Sequence, residues 1–208
     1  MATVIAGMTM SIDGFVADPS GSVGRLYPDL PDLRGSAYMN ALIEETGAVV
    51  MGRRAFEMGD PDSYVGEYEF QVPIFVLTHH PPEIPPKQDE HLRFTFMTDG
   101  VGSAIEQARA AAGDRAVQVV GGASVVQQLL RAGLVDELRV DVMPVVLGGG
   151  LRFLESVDPE RVQLEKVDVQ EVGARTSLRF HVVKGVQSGP SPRGHREGSD
   201  APRGEGEG

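Results

Sequence analysis

The order of strand-like and helix-like patterns constrains the fold of this 208-residue chain more than any other feature. Short apolar runs rich in β-branched residues predict buried strands over 3–8, 48–52, 73–78, 93–97 and 116–120. Helices are predicted over 36–45, at 53–58, over 101–112 and along an apolar stripe from 125 to 133. Because a helix that joins two strands returns the chain to the same edge of a sheet, this part predicts a parallel sheet.

The C-terminal part of the sequence follows a different pattern. Strands are predicted over 137–144, 162–172 and 175–183, and no long helix lies between them. Strands that follow one another without crossover helices pair antiparallel. The predicted fold class is therefore α/β: a mixed sheet, mostly parallel, with an antiparallel C-terminal edge and flanking helices.

Composition changes abruptly after Lys184. The segment 185–208 contains seven Gly and three Pro among 24 positions, and only Val186 and Ala201 are apolar. Such a segment buries too little apolar surface to offset the entropy lost on ordering. We therefore predict one folded domain over 1–184 and a disordered tail over 185–208.

Composition also excludes several classes of function. The chain has no Cys, which removes thiolate zinc sites, disulfides, iron–sulfur clusters and Cys nucleophiles. A net charge of −11 argues against sequence-independent binding of nucleic acid. No apolar run reaches roughly 18 residues, and no basic segment precedes Asp13, so neither a membrane helix nor a signal peptide is predicted. We expect a cytoplasmic protein.

Ligands of such sheets bind beyond the carboxyl ends of the parallel strands. The strand at 116–120 runs into Gly121 and Gly122 and then into a helix. Two missing Cβ atoms let a phosphate approach the backbone, and the helix N-terminus favours an anion there. Ser124 either caps this helix or binds the phosphate. The alternative is a tight strand-to-helix turn, the commoner meaning of a lone Gly pair.

Two further strand ends carry polar residues. Gly52 closes one strand, and Arg53 or Arg54 after it could grip a phosphate bidentately, although a solvated Arg pair is the simpler interpretation. Thr78 closes the next strand and could cap it or bind a ribose or phosphate. His79 and its neighbour point apart and have no evident third ligand, so no metal site is predicted.

Three segments together resemble a known family: TVIAGMTMSIDGFVA, VVMGRRAFE, and the long stretch VVGGASVVQQLLRAGLVDELRVDVMPVVLGGGLRFLE. They are similar to the dihydrofolate reductase-like superfamily. In particular they resemble the reductase domain of riboflavin biosynthesis, the C-terminal domain of the bifunctional deaminase–reductase. The resemblance covers about 2–183 and is most specific over 132–149. It implies NADPH as cofactor, a small-molecule substrate and a homodimer.

The resemblance also implies cofactor contacts, residue by residue. Gly121 and Gly122 match the family's pyrophosphate and nicotinamide-side loop, which continues through Ala123, Ser124 and Val125. The Gly-Gly peptide of this loop is often cis in the family, so a cis bond is expected here.

The remaining matches lie at three other strand ends. Gly52 and Arg53 match the motif whose Arg contacts the adenosine 2′-phosphate, with Arg54 beside it. Thr78 and His79 match positions that border the adenosine ribose. The residues that match the strand and loop beside the nicotinamide and substrate are Ala6, Ile12, Asp13 and Gly14.

Departures from the family narrow the function. Dihydrofolate reductases bind the pterin with a helix-borne carboxylate, whose counterpart here falls near Ser36, where no acid stands. Ala55 and Val126 replace a Thr and an aromatic residue, so a true dihydrofolate reductase is disfavoured. The family's deaminase uses His/Cys/Cys zinc ligands, so a chain without Cys is expected to lack it.

Two hypotheses remain open. The first is an NADPH-dependent reductase that transfers hydride to a small heterocycle or a carbonyl or imine, with Asp13 as the candidate proton relay or substrate contact and Gly14 beside it. For Asp13 the alternative is a structural Asp-Gly turn. The second hypothesis is a nucleotide-binding sensor or paralogue that binds NADPH without turnover.

Overall fold

A computed structural model describes residues 1–183, so the predicted tail lies outside the described residues. Within this described part, ten strands form two sheets. The strands are β1 (Val4–Ser11), β2 (Phe15–Ala17), β3 (Thr46–Gly52), β4 (Ile74–Leu77), β5 (Phe94–Met97), β6 (Ala116–Val120), β7 (Glu137–Met143), β8 (Leu151–Arg152), β9 (Gln163–Val172) and β10 (Arg175–Val183).

Six α-helices connect or cover these strands, and two short 3₁₀ turns lie at Gly24–Leu26 and Pro61–Ser63. The helices are α1 (Leu30–Leu33), α2 (Ala37–Glu45), α3 (Arg53–Phe56), α4 (Tyr64–Glu67), α5 (Val101–Ala112) and α6 (Ala123–Arg131). Ser36 caps α2, because its hydroxyl accepts a hydrogen bond from the Met39 N–H at 3.2 Å. No helix within residues 1–183 is long and apolar enough to cross a membrane.

The main sheet has eight strands in the order β5-β4-β3-β6-β1-β7-β10-β9. The first six strands in this order, from β5 to β7, pair in parallel with their neighbours. Strand β10 pairs antiparallel with both β7 and β9. This arrangement confirms the predicted α/β class and its antiparallel C-terminal edge. The carboxyl ends of the six parallel strands therefore lie along one edge, which is where the cavities described below open.

Apolar side chains pack on both faces of the sheet. Helices α5 and α6 cover one face, where Ile105, Leu129 and Phe153 are almost fully buried. On the other face, Phe56 packs against Phe94 with ring centroids 5.3 Å apart at a 68° interplanar angle. Each such side chain contributes about 1.5–3 kcal/mol through the apolar surface that it removes from water.

The structure adds elements that the sequence patterns did not predict. Segment 18–33, whose five Gly and Pro residues are typical of a loop, contains one 3₁₀ turn and the four-residue helix α1. A two-stranded ribbon of β2 and β8 was also missed. Both elements are too short for a periodic pattern to distinguish them from irregular chain.

Candidate active site

Two cavities adjoin at the carboxyl edge of the parallel strands. The turn cleft, of about 1070 Å³, is lined by residues that include Gly52, Thr78 and Gly122. The tyrosine cavity, of about 690 Å³, is lined by residues that include Tyr38 and Gln118. Ligand sites in proteins typically occupy roughly 300–1,000 Å³, so each cavity has the size of a ligand site.

The turn between β6 and α6 separates the two cavities. Gly121 has φ of 78° and Gly122 has φ of 82°, backbone conformations that side chains disfavour. A Cβ at Gly121 would lie 2.7 Å from the Cβ of Ala55, so glycine is needed there for space as well. The predicted cis bond is wrong, because residues 1–183 contain no cis peptide bond. The two left-handed glycines make the turn with a trans peptide.

Helix α6 begins at the turn cleft. The first residues of the helix, Ala123, Ser124 and Val125, line the cleft together with Gly122. The N–H of Val125 donates to the Gly122 carbonyl at 2.9 Å, and no side chain caps the helix. Ser124 therefore does not serve as the predicted N-cap. Uncapped N–H groups and the helix dipole make this end of the cleft favourable for an anion.

Both arginines after β3 line the turn cleft. Arg53 donates through Nε to Glu57 at 2.6 Å, one helical turn later, and each side chain is about half exposed. This contact occupies only the Nε edge of the guanidinium, which has further donors. Arg54 is exposed beside it. The pair gives the cleft a local positive charge in a chain of net charge −11.

Thr78 and His79 also line the turn cleft. The Thr78 hydroxyl donates to the His80 carbonyl at 3.0 Å and accepts from the His80 N–H at 3.1 Å. Thr78 therefore caps the end of β4 and holds the turn that follows, which is the first of the two roles predicted for it. His79 is exposed at the cleft wall.

The turn cleft and the tyrosine cavity share walls. Val23 and Met58 line both, and Gly121 lines the tyrosine cavity while Gly122 lines the cleft. A molecule that extends along the cleft to the glycine turn would therefore end beside a ligand bound in the tyrosine cavity.

Aromatic rings form much of the tyrosine cavity. All four tyrosines of the chain, Tyr27, Tyr38, Tyr64 and Tyr68, line it. Burial raises the pKa of Tyr64 to about 12 and that of Tyr68 well above its usual value, so both phenols are protonated at neutral pH. Phenol rings beside apolar side chains suit a planar ligand.

A buried ionic cluster lies against the tyrosine cavity. Arg175, 3% exposed, donates to Asp29 at 2.8 and 2.6 Å and to Asp141 at 3.0 Å. The Tyr38 hydroxyl donates to Asp141 at 3.1 Å. Hydrogen bonding to Arg175 lowers the pKa of Asp29. Asp141 on β7 thus lines the cavity, and Asp29 from the loop before α1 is joined to it through Arg175.

Within residues 1–183, three buried side-chain polar atoms lack a hydrogen-bond partner. Two of them, the Tyr68 hydroxyl and Gln118 Oε1, belong to residues that line the tyrosine cavity. Gln118 is only 3% exposed. Buried polar groups are nearly always partnered, so two exceptions around one cavity indicate a place where a ligand makes hydrogen bonds.

The structure places Asp13 and Gly14 outside both cavities. The Asp13 carboxylate accepts hydrogen bonds from the N–H groups of Leu147 at 3.1 Å and Gly148 at 2.8 Å. The Ser11 hydroxyl together with these N–H groups lowers the pKa of Asp13 to about 2. Gly14, at φ 84°, closes the turn. The predicted catalytic and substrate roles do not fit this geometry, and the alternative Asp-Gly turn does.

The side chain of Ala6 faces the core. It is fully buried in β1, packs in the core and lines neither cavity. Side chains alternate across a strand, so its neighbour Gly7 is the residue that lines the tyrosine cavity. The cofactor contact at Ala6 stays a prediction.

The polar residues of the tyrosine cavity were not predicted from the sequence. One signal was available in β7, where Arg139 and Asp141 alternate with the apolar Leu138 and Val140. A central strand with charged residues on one face is unusual, because both faces of such a strand are normally apolar. Arg175 gave no such signal, because it is the first residue of β10, a strand next to the sheet edge, where charged residues are common.

The mixed sheet with two adjoining cavities at its carboxyl edge defines an α/β protein with the dihydrofolate reductase-like fold. Residues 2–178 match the family model of the RibD C-terminal domain. The chain therefore belongs to that family, which confirms the resemblance found in the sequence.

Individual comparisons agree with this assignment. Uncharacterized protein YwjB of Bacillus subtilis (strain 168) is 25% identical over 173 residues, which cover 83% of this chain and 94% of YwjB. The deaminase/5-amino-6-(5-phosphoribosylamino)uracil reductase of Thermotoga maritima has a TM-score of 0.65 at 16% identity, covering 88% of this chain and 57% of that chain. Dihydrofolate reductase from Enterococcus faecalis, solved with NADP(H), has a TM-score of 0.52 at 21% identity, covering 86% of this chain and 96% of that chain. Family and neighbours support a reductase-type activity.

Proposed function

We propose that this protein is an NADPH-dependent reductase of a small heterocyclic, carbonyl or imine substrate. The observation that carries the proposal is the meeting of two cavities at the Gly121–Gly122 turn. One cavity has a cationic, glycine-lined wall suited to phosphates, and the other has an aromatic wall suited to a ring. A reductase needs its cofactor and its substrate in contact, and this turn is the point where such contact is possible.

The residues of the turn cleft fit NADPH. Gly122 and the first turn of α6 would hold the pyrophosphate, because their backbone approaches without Cβ atoms and their N–H groups favour anions. Arg53, with Arg54 beside it, would hold the 2′-phosphate, and His79 would border the adenosine ribose. NADPH, when bound, would supply the hydride for reduction of a C=N or C=O bond, and the proton on the N or O would come from solvent.

The tyrosine cavity would hold the substrate. Its phenol rings exclude water from a planar substrate and orient it toward the turn. Burial raises the pKa of Tyr38, so its hydroxyl keeps its proton and its hydrogen bond to Asp141 at neutral pH. Asp141 is in turn fixed by Arg175. These contacts preorganise one polar wall of the cavity before substrate arrives.

The Arg53→Ala variant tests the cofactor assignment. An arginine that binds the 2′-phosphate makes charge-assisted hydrogen bonds, and their loss weakens NADPH binding by about tenfold or more. NADH lacks that phosphate, so its affinity changes much less. Arg131→Ala, an exposed arginine at the end of α6, is the matched control and leaves both affinities unchanged. Equal losses for the two cofactors in Arg53→Ala contradict the assignment.

Cofactor consumption separates the reductase from the sensor hypothesis. The wild-type protein is incubated with NADPH and a panel of pteridines, pyrimidines and flavins, and absorbance at about 340 nm is followed. A reductase oxidises NADPH with at least one member of the panel. Saturable NADPH binding without oxidation across the panel favours the sensor.

A further inference from the structure

We propose that the tyrosine cavity selects an unphosphorylated heteroaromatic ring, neutral or cationic, and binds it through an N–H group donated to Gln118 Oε1. This inference rests on the proposed function, since it names the substrate class of the same site. It departs from the phosphorylated substrate in the name of the Thermotoga maritima reductase.

Gln118 supplies the acceptor. It lies on β6, 3% exposed, lines the cavity, and its Oε1 has no partner among residues 1–183. Its amide occupies the space over Gly7 on the paired strand β1, where a Cβ would lie 2.8 Å from Nε2. The missing side chain of Gly7 thus makes room for Gln118 to extend along the cavity wall. An unsatisfied buried amide lowers stability, and a ligand N–H removes that penalty.

The buried arginines of the cavity are not available to a phosphate. Arg175 is bound by two carboxylates, Asp29 and Asp141. Arg139 is likewise bound by two, Glu45 and Glu137. Arg175 is therefore overcompensated by negative charge, and Arg139 is fully balanced, because Arg179 also binds Glu137. An anion that entered this cavity would meet repulsion from the carboxylates instead of a free cation.

The remaining charges of the wall point the same way. Glu67 and Glu69 are exposed lining residues, against a single exposed arginine, Arg34. The turn cleft differs, because among residues 1–183 Asp18 is the one acid in its lining and, of its two arginines, Arg53 is paired with Glu57 through Nε only while Arg54 forms no ion pair. The molecule thus separates a cationic cleft, suited to cofactor phosphates, from an anionic cavity, suited to a ring without phosphate.

The ring itself is recognised by the four tyrosines that line the cavity. Phenol faces attract cations and stack on flat heterocycles. The Tyr68 hydroxyl, unpartnered among residues 1–183, is a second polar contact for the ring edge. One acceptor amide and one phenol fix the orientation of a ring that presents both N–H and carbonyl groups.

A matched pair of ligands tests the charge selection. The probes are 5-amino-6-ribosylaminouracil and the same compound with a phosphate at the ribose 5′ position. Each is titrated into the protein without cofactor. The chain has four Tyr and no Trp, so its tyrosine fluorescence comes from this cavity alone, and calorimetry gives an independent affinity. We expect the unphosphorylated compound to bind about tenfold tighter or more. In the double variant Glu67→Gln, Glu69→Gln, we expect a smaller difference between the affinities of the two compounds, because two carboxylates that repel the phosphate are removed.

Equal or tighter binding of the phosphate overturns the inference, as does failure of both compounds to bind. Separate NADPH titrations keep the two proposals distinguishable. Selection against phosphate without NADPH binding refutes the proposed function alone. NADPH binding without this selection refutes the inference alone.

Gln118→Met tests the acceptor. This variant keeps the length of the side chain and removes the amide. We expect affinity for the unphosphorylated probe to fall about tenfold, NADPH affinity to stay constant, and Tm to stay equal or rise, because an unsatisfied buried group is lost. Gln107→Met, on the exposed face of α5, is the control and changes none of these. Unchanged probe affinity, or a Tm lowered by several degrees, overturns the role.

Discussion

Replacement of Arg175 by Met removes the cation of the buried ionic cluster. The Arg175 side chain is 3% exposed, and the Asp29 and Asp141 side chains are each 12% exposed. The variant retains the aliphatic stem but leaves two nearly buried carboxylates without their counter-ion. Breaking a buried pair on one side costs about 3–5 kcal/mol. We expect the free energy of unfolding at pH 7 to fall by about that amount.

The pH dependence of this loss has a definite sign. Arg175 lowers the pKa of Asp29 in the folded state, so the contact adds stability above the unfolded pKa of an aspartate and loses it as pH falls through the folded pKa. The Met variant lacks this contribution. The stability difference between wild type and variant is therefore full at pH 7 and shrinks as the pH falls, because the unpaired aspartates of the variant take up protons first and Asp29 of the wild type follows.

Urea denaturation at pH 7 and pH 3, followed by circular dichroism, measures both effects. The matched control is Arg179→Met on the same strand, because Arg179 is 44% exposed and bonds to Glu137 at 2.9 Å. We expect this control to cost about 0–1 kcal/mol, because Arg179 is partly exposed and Glu137 keeps Arg139 as its partner. A loss below about 1 kcal/mol for Arg175→Met at pH 7 refutes the reasoning. A difference that persists unchanged at pH 3 refutes it as well.

Three further predictions concern Gly121, Asp13 and Glu57. Gly121→Ala places a Cβ 2.7 Å from Ala55 at a φ of 78°, so it should lower the free energy of unfolding by about 1–3 kcal/mol. The control Gly102→Ala lies in open space on α5 and should not lower it, and urea titration measures both variants. The amide shifts of Leu147 and Gly148 should titrate near pH 2 in NMR spectra, with the Asp13 carboxyl, and a midpoint near 4 contradicts that contact. Glu57→Gln frees the Arg53 guanidinium and should tighten NADPH binding severalfold by calorimetry; unchanged affinity excludes competition between Glu57 and phosphate.

Most of the fold was predictable because the strands carry their own signals. The helix over 101–112, the strand over 116–120 and the strand over 175–183 have the predicted bounds. Each is long or apolar enough for periodicity to decide its type. The short ribbon of β2 and β8 was not predictable, since its pairing depends on contacts far apart in the sequence.

The turn cleft was predictable for a related reason. Its residues follow strand ends, and the carboxyl ends of parallel strands meet at one edge. Gly52, Thr78 and Gly122 therefore lie together, as expected. The tyrosine cavity was not predictable from the sequence, because its polar residues come from the middles of strands and from loops. Arg175 and Asp29 stand 146 positions apart, and only the folded sheet brings them into contact.

Asp13 shows how a resemblance can misplace a role. An acid after the first strand matched the family's substrate loop, but here its carboxylate binds the backbone of 147–148. The two interpretations were equal from the sequence, because an Asp-Gly pair serves either purpose. Only the positions of the Leu147 and Gly148 N–H groups distinguish them.

Calorimetric titration of the wild-type protein with NADPH shows whether the cleft beside Gly121 and Gly122 binds this cofactor. We expect saturable binding of one NADPH per chain with a submillimolar Kd, tighter than that of NADH. Absence of saturable binding in that range would contradict the proposed function.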